Sequence, residues 1–582
     1  MVKNVTKAKK VKTKKASGAK PTLSLAQREK LKTERTHAPY IRSIFVQSGF
    51  KRIGSATETE VLYDGQSSDF DDVFVFENIL ILVEYTTSQS SDVGSHLKNK
   101  KIFYDKILSN GPKFVAVFKN LFPEINESSL KNYINGKCLV RIVYCSLYAF
   151  EERHKNNVEG PRYLDYPSVR YFREVTSAIK MTARYELFDF LAIDYTKVGS
   201  NGILSTSVVK NAYHGSMLPE AHSNFNPGYK IVSFYADPQS LLRRSYVLRK
   251  DGWKTSINLY QRMIDKRKIE SIRKYLKRER RVFVNNMIVT LPDETKLLDD
   301  QEDTVDPSKI DSTSPVTIQI PERANSVGLI DGQHRVFSYY ESAIDDPDIA
   351  VLRNQQNLLV TGIIYPKGIP VQEKEKFEAK LFLEINSTQT NAKSDLKQAI
   401  GIILDPFSVE AIATRVVAAL GVSGGPLSGE IGTYFYESNK LKTTSIVSYA
   451  MKSLVKVGGA GSLYSIWSRQ GKDDMLKDGD TTKLDEYVKF CVAQINMFLS
   501  AVKSNVSNET WTADKSVPLH LITTTYVNAF LISIRILIAL GKNGDFLHYK
   551  EALSDLHSFP FADYRSSQYN RMAQRLVGQY FP

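Results

Sequence analysis

The spacing of apolar and polar residues changes several times along the chain. Residues 1 to 22 are lysine, threonine and alanine with few large apolar groups, so a disordered basic tail is expected. From Leu23 a helical period sets in and predicts helices over Leu25 to Glu34 and Ala38 to Ser48. Asp72 to Phe76 and Ile79 to Val83 are apolar runs separated by Glu77-Asn78, the pattern of a hairpin whose second strand is covered on both faces. Strands follow at Lys113 to Phe118 and Lys137 to Tyr148, then a long helix from the Asp165-Tyr166-Pro167 cap to about Leu191. Residues 192 to 225, rich in Gly, Ser and Asn, read as a connector.

A new alternation begins at Asn226. It predicts a strand over Tyr229 to Tyr235, a helix over Pro238 to Val247 and a long helix over about Ser256 to Arg280. Strands are expected at Phe283 to Leu291 and Asn357 to Tyr365, with an acidic loop over 292 to 314 between them and a helix over Gln372 to Glu384 after them. Val327 to Ile330 is a short buried strand that enters a polar turn, with a helix from about Arg335. From about 400 the chain is mostly helical, with segments near 409–420, 443–456, 483–504, 519–541 and 545–557. The pattern is that of an α/β multidomain protein, divided at about 225 and 400.

Composition refines this picture in three ways. Net charge is +15, and eight lysines in the first twenty residues leave the remainder at +7, which suits a polyanionic partner such as DNA. Three cysteines without zinc or disulfide spacing, and no apolar leader, make the cytoplasm the expected location. Leu519 to Leu540 is long enough to span a bilayer, but His520, Asn528, Arg535 and three threonines within it point to a buried helix and no membrane partner. The helical C-terminal region, 401–582, carries no recognisable chemistry and is expected to serve homo-oligomer formation or nucleic-acid contact.

Two stretches carry candidate chemistry. In the hairpin, Asp72 opens the first strand and Glu84 ends the second, so antiparallel pairing is expected to bring the two carboxylates together. Converging buried acids are costly without a cation, which suggests Mg²⁺ or Mn²⁺ held by Asp72 and Glu84, with Asp71 a competing ligand. This resembles the PD-(D/E)xK nuclease core, in which a lysine two residues after the glutamate positions the attacking water. Here Thr86 stands in the lysine position, and Lys98, Lys100 and Lys101 on the next helix, about His96 to Leu108, are the replacements considered.

The second stretch is Asp331-Gly332-Gln333-His334-Arg335, where a tight turn meets the start of a helix and phosphate binding is expected. The string resembles the signature of DGQHR-domain proteins, a DndB-like group related to the ParB/sulfiredoxin fold. Tyr260-Gln261-Arg262 and the Phe382 to Gln389 segment with Asn386 extend the resemblance over about 226 to 400. It implies a nucleotide, such as a triphosphate, or DNA held by Asp331, Gly332, Gln333, His334, Arg335, Arg262 and Asn386. Arg262 reads equally as a core ion-pair partner, and Asn386 reads first as a cap of the next helix and second as a ligand contact.

Together the resemblances imply a restriction-endonuclease-like α/β/α domain over 23–225, a ParB/sulfiredoxin-like α+β domain over 226–400 and a helical domain over 401–582. The implied activity is a metal-dependent DNA endonuclease or effector of prokaryotic defence or DNA modification, gated by the DGQHR domain. A non-catalytic DNA-binding regulator and a DGQHR-domain nucleotide hydrolase are the alternatives.

Overall fold

A computed structural model describes residues 25 to 582, apart from 89, 149, 200–210, 250–252, 255–260, 390–393, 423, 433–435 and 438–439. The basic tail expected over 1–22 lies outside the described residues. The first unit comprises α1 (Leu25–Gln47), β1 (Lys51–Arg52), β2 (Asp72–Phe76), β3 (Ile79–Thr86), α2 (Ser90–Ser109), α3 (Gly111–Leu121), β4 (Leu139–Ser146), β5 (Arg162–Leu164), α4 (Tyr166–Ile179) and α5 (Arg184–Phe190). Its five-stranded sheet runs β1-β2-β3-β4-β5. The β1–β2 and β2–β3 pairs are antiparallel, and β3–β4 and β4–β5 are parallel.

The continuous apolar run of β3 is explained by this layering. Ile79, Ile81 and Val83 pack with residues of α1 and α4 on one side, while Leu80 and Leu82 pack with residues of α2 and α3 on the other. The hairpin turn falls at Glu77, which adopts φ 49°.

The second unit comprises β6 (Ala212–Leu218), β7 (Lys230–Ala236), α6 (Pro238–Arg244), β8 (Ser245–Tyr246), α7 (Lys266–Glu279), β9 (Met287–Leu291), β10 (Lys296–Leu298), β11 (Ser314–Gln319), β12 (Val327–Asp331), α8 (Gln333–Phe337) and β13 (Leu358–Ile364). Its mixed eight-stranded sheet is ordered β8-β12-β9-β13-β7-β6-β11-β10. Helices α9 (Val371–Gln389) and α10 (Ser394–Leu404) lead to α11 (Val409–Val422), α12 (Thr481–Ser504), α13 (Thr524–Ala539) and α14 (Tyr569–Tyr580), which close around a separate apolar core. No described helix is long and apolar enough to cross a membrane.

Several elements differ from the expectations. Residues 113 to 118 lie in helix α3: Asn110 caps it by accepting from Lys113 N–H, Pro112 sits in its first turn, and only Phe114, Val115 and Phe118 are buried. The two expected N-terminal helices are one, with Pro39 inside it. The long helix from Asp165 breaks at Lys180, where φ is 48°. Helix α2 starts at Ser90, so its lysines lie mid-helix. Asp265 caps α7 through Arg267 N–H and Lys268 N–H, later than the Ser256 start expected.

The division at 225 also moves, because β6 pairs with β7 and β11 and is part of the second sheet. The two units share one hydrophobic core, running from Ile41 and Val175 to Val327 and Ile364. Polar bolts reinforce it. Fully buried Arg249 donates to Tyr171 Oη and Glu186 Oε2, each at 3.0 Å, and lies 5.6 Å from the Phe337 ring. Arg184 pairs with Glu341.

Candidate functional site

Strand register decides which acids meet. Asp72 pairs with Val83, so its side chain points to the α1 and α4 face, whereas Glu84 points to the α2 and α3 face. The expected convergence of Asp72 with Glu84 is therefore absent. Asp72, fully buried, accepts from Arg42 Nε, Arg52 Nε and Tyr85 Oη, and has no role on the Glu84 side. Asp71 stands opposite Glu84, and its carboxylate accepts Tyr85 N–H at 2.6 Å.

On that side, Lys100 reaches in from α2 and places Nζ 2.7 Å from Glu84 Oε1 and 3.0 Å from Asp69 Oδ1. Thr86, two residues after Glu84 and on the same face, lacks a charge, and its Oγ1 accepts Ser88 N–H at 3.1 Å. Lys100 thus supplies from the helix the ammonium that the strand does not carry. Lys98 is exposed, as a position two residues away on a helix requires, and takes no part. Lys101 pairs with Asp105 along the helix.

Sequence reasoning missed three neighbours of this site. His96, one turn before Lys100, has Nδ1 2.8 Å from Tyr144 Oη, and Tyr144 is the register partner of Glu84 on β4. Tyr104, one turn after Lys100, is fully buried, and its hydroxyl has no partner among the described residues. The i, i+4, i+8 spacing of His96, Lys100 and Tyr104 was the available signal.

Burial pushes the Glu84 carboxyl up to about 8, outweighing the pull of Lys100. Burial also raises Asp71, against the Tyr85 N–H bond. Two hard carboxylates with unfavourable solvation are a donor set that suits Mg²⁺ or Mn²⁺, which bind through one or two carboxylates and keep several waters. Among the described residues no group of three or more His, Cys, Asp and Glu could hold a metal.

The second candidate site is a cleft of 510 Å³ in the central unit. Its lining brings together Asp331, Gly332, Gln333, His334, Arg335, Arg262 and Asn386, drawn from three separate stretches of chain. Gly332 is required at the turn: φ is +101°, and a Cβ there would lie 2.5 Å from Met287 Sδ. Its carbonyl accepts Arg335 N–H and Val336 N–H, starting α8.

The helix expected to bind phosphate is only five residues long, too short to offer an anion site at its N-terminus. The motif's own charges are also spent. Arg335 pairs with Asp331 at 2.7 Å. His334 accepts Asp265 N–H on Nε2 at 3.1 Å, and burial, with Lys268 and Arg249 nearby, lowers it to about 4, so the ring is neutral. Arg262, expected at this site, and Lys268, which sequence reasoning did not connect to the turn, have no carboxylate partner among the described residues and are the cations left for an anionic ligand. Gln333 Oε1 is buried without a partner among the described residues, leaving an acceptor at the cleft. Asn386 donates to Phe382 O at 2.9 Å within its own helix rather than capping the next one.

No protein-family model, curated protein or solved structure matches the chain.

Proposed function

We propose that the chain is a divalent-metal-dependent DNA endonuclease whose cutting site is Asp71, Glu84 and Lys100. One observation carries the reading: Lys100 reaches Glu84 at 2.7 Å from a helix, on the sheet face that Asp71 also serves. Two acids and a lysine at one sheet end reproduce the residue types of a PD-(D/E)xK core despite Thr86.

Asp71 and Glu84 would hold the cation. When bound, Mg²⁺ or Mn²⁺ polarises the scissile phosphate and favours ionisation of a water. Lys100 supplies positive charge beside the attacked phosphate, its three ammonium protons being donated to Glu84 Oε1, Asp69 Oδ1 and the Asp69 carbonyl. Tyr144 holds the His96 ring, and the buried strands exclude bulk water from the acid pair. Water adds to phosphorus, one phosphate ester bond breaks and the departing oxygen takes up a proton.

The DGQHR cleft is the control element in this reading, binding a nucleotide or another phosphate ligand through Arg262 and Lys268. A setting in prokaryotic defence or DNA modification rests on the DGQHR resemblance alone. Incubating supercoiled plasmid with the protein and Mg²⁺ tests the cutting function. Metal-dependent nicking that Glu84→Ala removes supports it; no metal-dependent cutting of any DNA, modified or not, sinks it.

A non-catalytic DNA-binding regulator is the second reading, favoured by the closed Lys100–Glu84 contact, in which the lysine already occupies the glutamate without a metal.

A further inference from the structure

Asp72, freed from any role beside Glu84, anchors a different arrangement. It is fully buried, and two arginines from separate elements, Arg42 on α1 and Arg52 on β1, both donate Nε to it. Tyr85 completes the anchor, donating Oη to Asp72 at 2.6 Å.

Two guanidiniums share one carboxylate, and neither meets another carboxylate among the described residues. The unit therefore carries a net positive charge. Each arginine side chain is 36% exposed while Asp72 is 0% exposed, so the charge excess faces outward. Nε is the atom that donates to Asp72 in both arginines, so the Nη end of the Arg52 fork lies beyond the anchor, while the Arg42 fork is held also by Tyr85. An arginine fork held in place by a buried acid loses little freedom when it binds a phosphate, which is the geometry that favours bidentate contact. Arg35, exposed two helical turns earlier on α1, extends the positive edge.

Asp72 follows Asp71 directly, and Tyr85 follows Glu84, so this pair of arginines and the acid pair occupy the same end of the sheet on opposite faces. A polyanion laid across that end would meet both.

We propose that Arg42 and Arg52, locked by Asp72 and Tyr85, form a phosphodiester clamp that holds the DNA backbone next to the cutting site. The clamp rests on the nuclease reading for its choice of DNA, and its geometry stands apart from catalysis. It assigns binding, not bond-breaking, to Arg42, Arg52 and Asp72.

The test is fluorescence anisotropy of a short fluorescein-labelled DNA duplex, in EDTA so that no cutting occurs. Arg52→Gln leaves Asp72 balanced by Arg42, and the fold is expected to survive. Its affinity should fall by roughly tenfold at low salt, with the slope of log affinity against log salt reduced by about one. Arg52→Lys should regain the slope but not the full affinity, because the charge returns without the fork. Arg42→Gln should repeat the Arg52→Gln result from the other element. Unchanged affinity and slope in both Gln variants, with wild-type melting temperatures, would overturn the clamp. Tighter binding of an RNA duplex, or displacement of the DNA by inorganic phosphate at a matched concentration of phosphate groups, would overturn the assignment to DNA.

The two readings fail separately. A wild-type protein that binds DNA through these arginines but never cuts it would end the nuclease proposal and leave the clamp standing. Glu84→Gln that stops cutting while binding DNA as wild type would uphold both.

Discussion

Asp71 and Asp72 are adjacent in the chain and serve opposite faces of one sheet. Asp71 stands across the hairpin from Glu84, whereas Asp72 is held by Arg42, Arg52 and Tyr85. Their replacement should have opposite consequences. Asp72→Asn leaves two arginines facing each other without a counter-charge and should cost on the order of 3 kcal/mol in chemical denaturation. Asp71→Asn removes a desolvated acid and should leave stability nearly unchanged while abolishing Mg²⁺-dependent cutting. A stable Asp72→Asn protein that has lost cutting would reverse the two assignments.

Lysine placement provides a swap experiment. Lys100→Ala should lower the cutting rate by about 10² to 10³, the range for losing a preorganised positive donor beside the developing charge. Thr86 lies on the Glu84 face of β3 at the position where the nuclease pattern carries lysine, so Thr86→Lys in the Lys100→Ala background should recover part of the rate. Single-turnover cleavage checks both. No recovery in a folded double variant would mean that Lys100 acts through the fold and not through charge at the acid pair.

Burial of Glu84 predicts a pH-dependent stability. Its folded value, about 8, lies above the ordinary 4.5, so between these values the unfolded chain ionises while the folded carboxyl keeps its proton. Stability of the metal-free protein should therefore fall as pH rises from about 4.5 to about 8. Melting temperatures across that range should decline less steeply in Glu84→Gln. Equal slopes for variant and wild type would remove Glu84 as the cause.

His334 should behave in the reverse manner. Its value, lowered to about 4 from 6.5, means that the unfolded chain takes up a proton first as pH falls. Stability contributed by the neutral ring is present above about 6.5 and is lost towards about 4. In the folded protein the His334 ring resonances should not titrate between those values, and His334→Gln should reduce the acid lability.

At Gly332, an added methyl group meets both a left-handed φ of +101° and Met287 Sδ at 2.5 Å. Gly332→Ala should cost about 1 to 3 kcal/mol and distort the cleft that Arg262 and Lys268 line. Thermal unfolding measures the first effect, and nucleotide-triphosphate titration by calorimetry the second.

Much of the hairpin was legible in the sequence, because an unbroken apolar strand and the Glu77-Asn78 turn are local features. Which acid faces which side was not, since a one-residue change of register reverses every side chain. The capture of Asp72 by Arg42 and Arg52 depends on contacts 30 and 20 residues away, which no local pattern records. Lys100 was visible as one of several lysines, but selecting it required the helix to be placed over Glu84. In the cleft, the motif residues were found together, yet their charges turned inward and the free cations came from Arg262 and Lys268. Residues 113 to 118 misled because an apolar run of that length suits a strand or a helix equally.

The apolar core shared by the first two units has a consequence for any attempt to take the protein apart. With Ile41, Val175, Val327 and Ile364 in one continuous interior, a cut near residue 225 would expose a surface built to be dry on both fragments. Neither piece should be inherited, transplanted or expressed by itself. A lineage that keeps one of the two candidate sites is bound to carry the scaffold of the other.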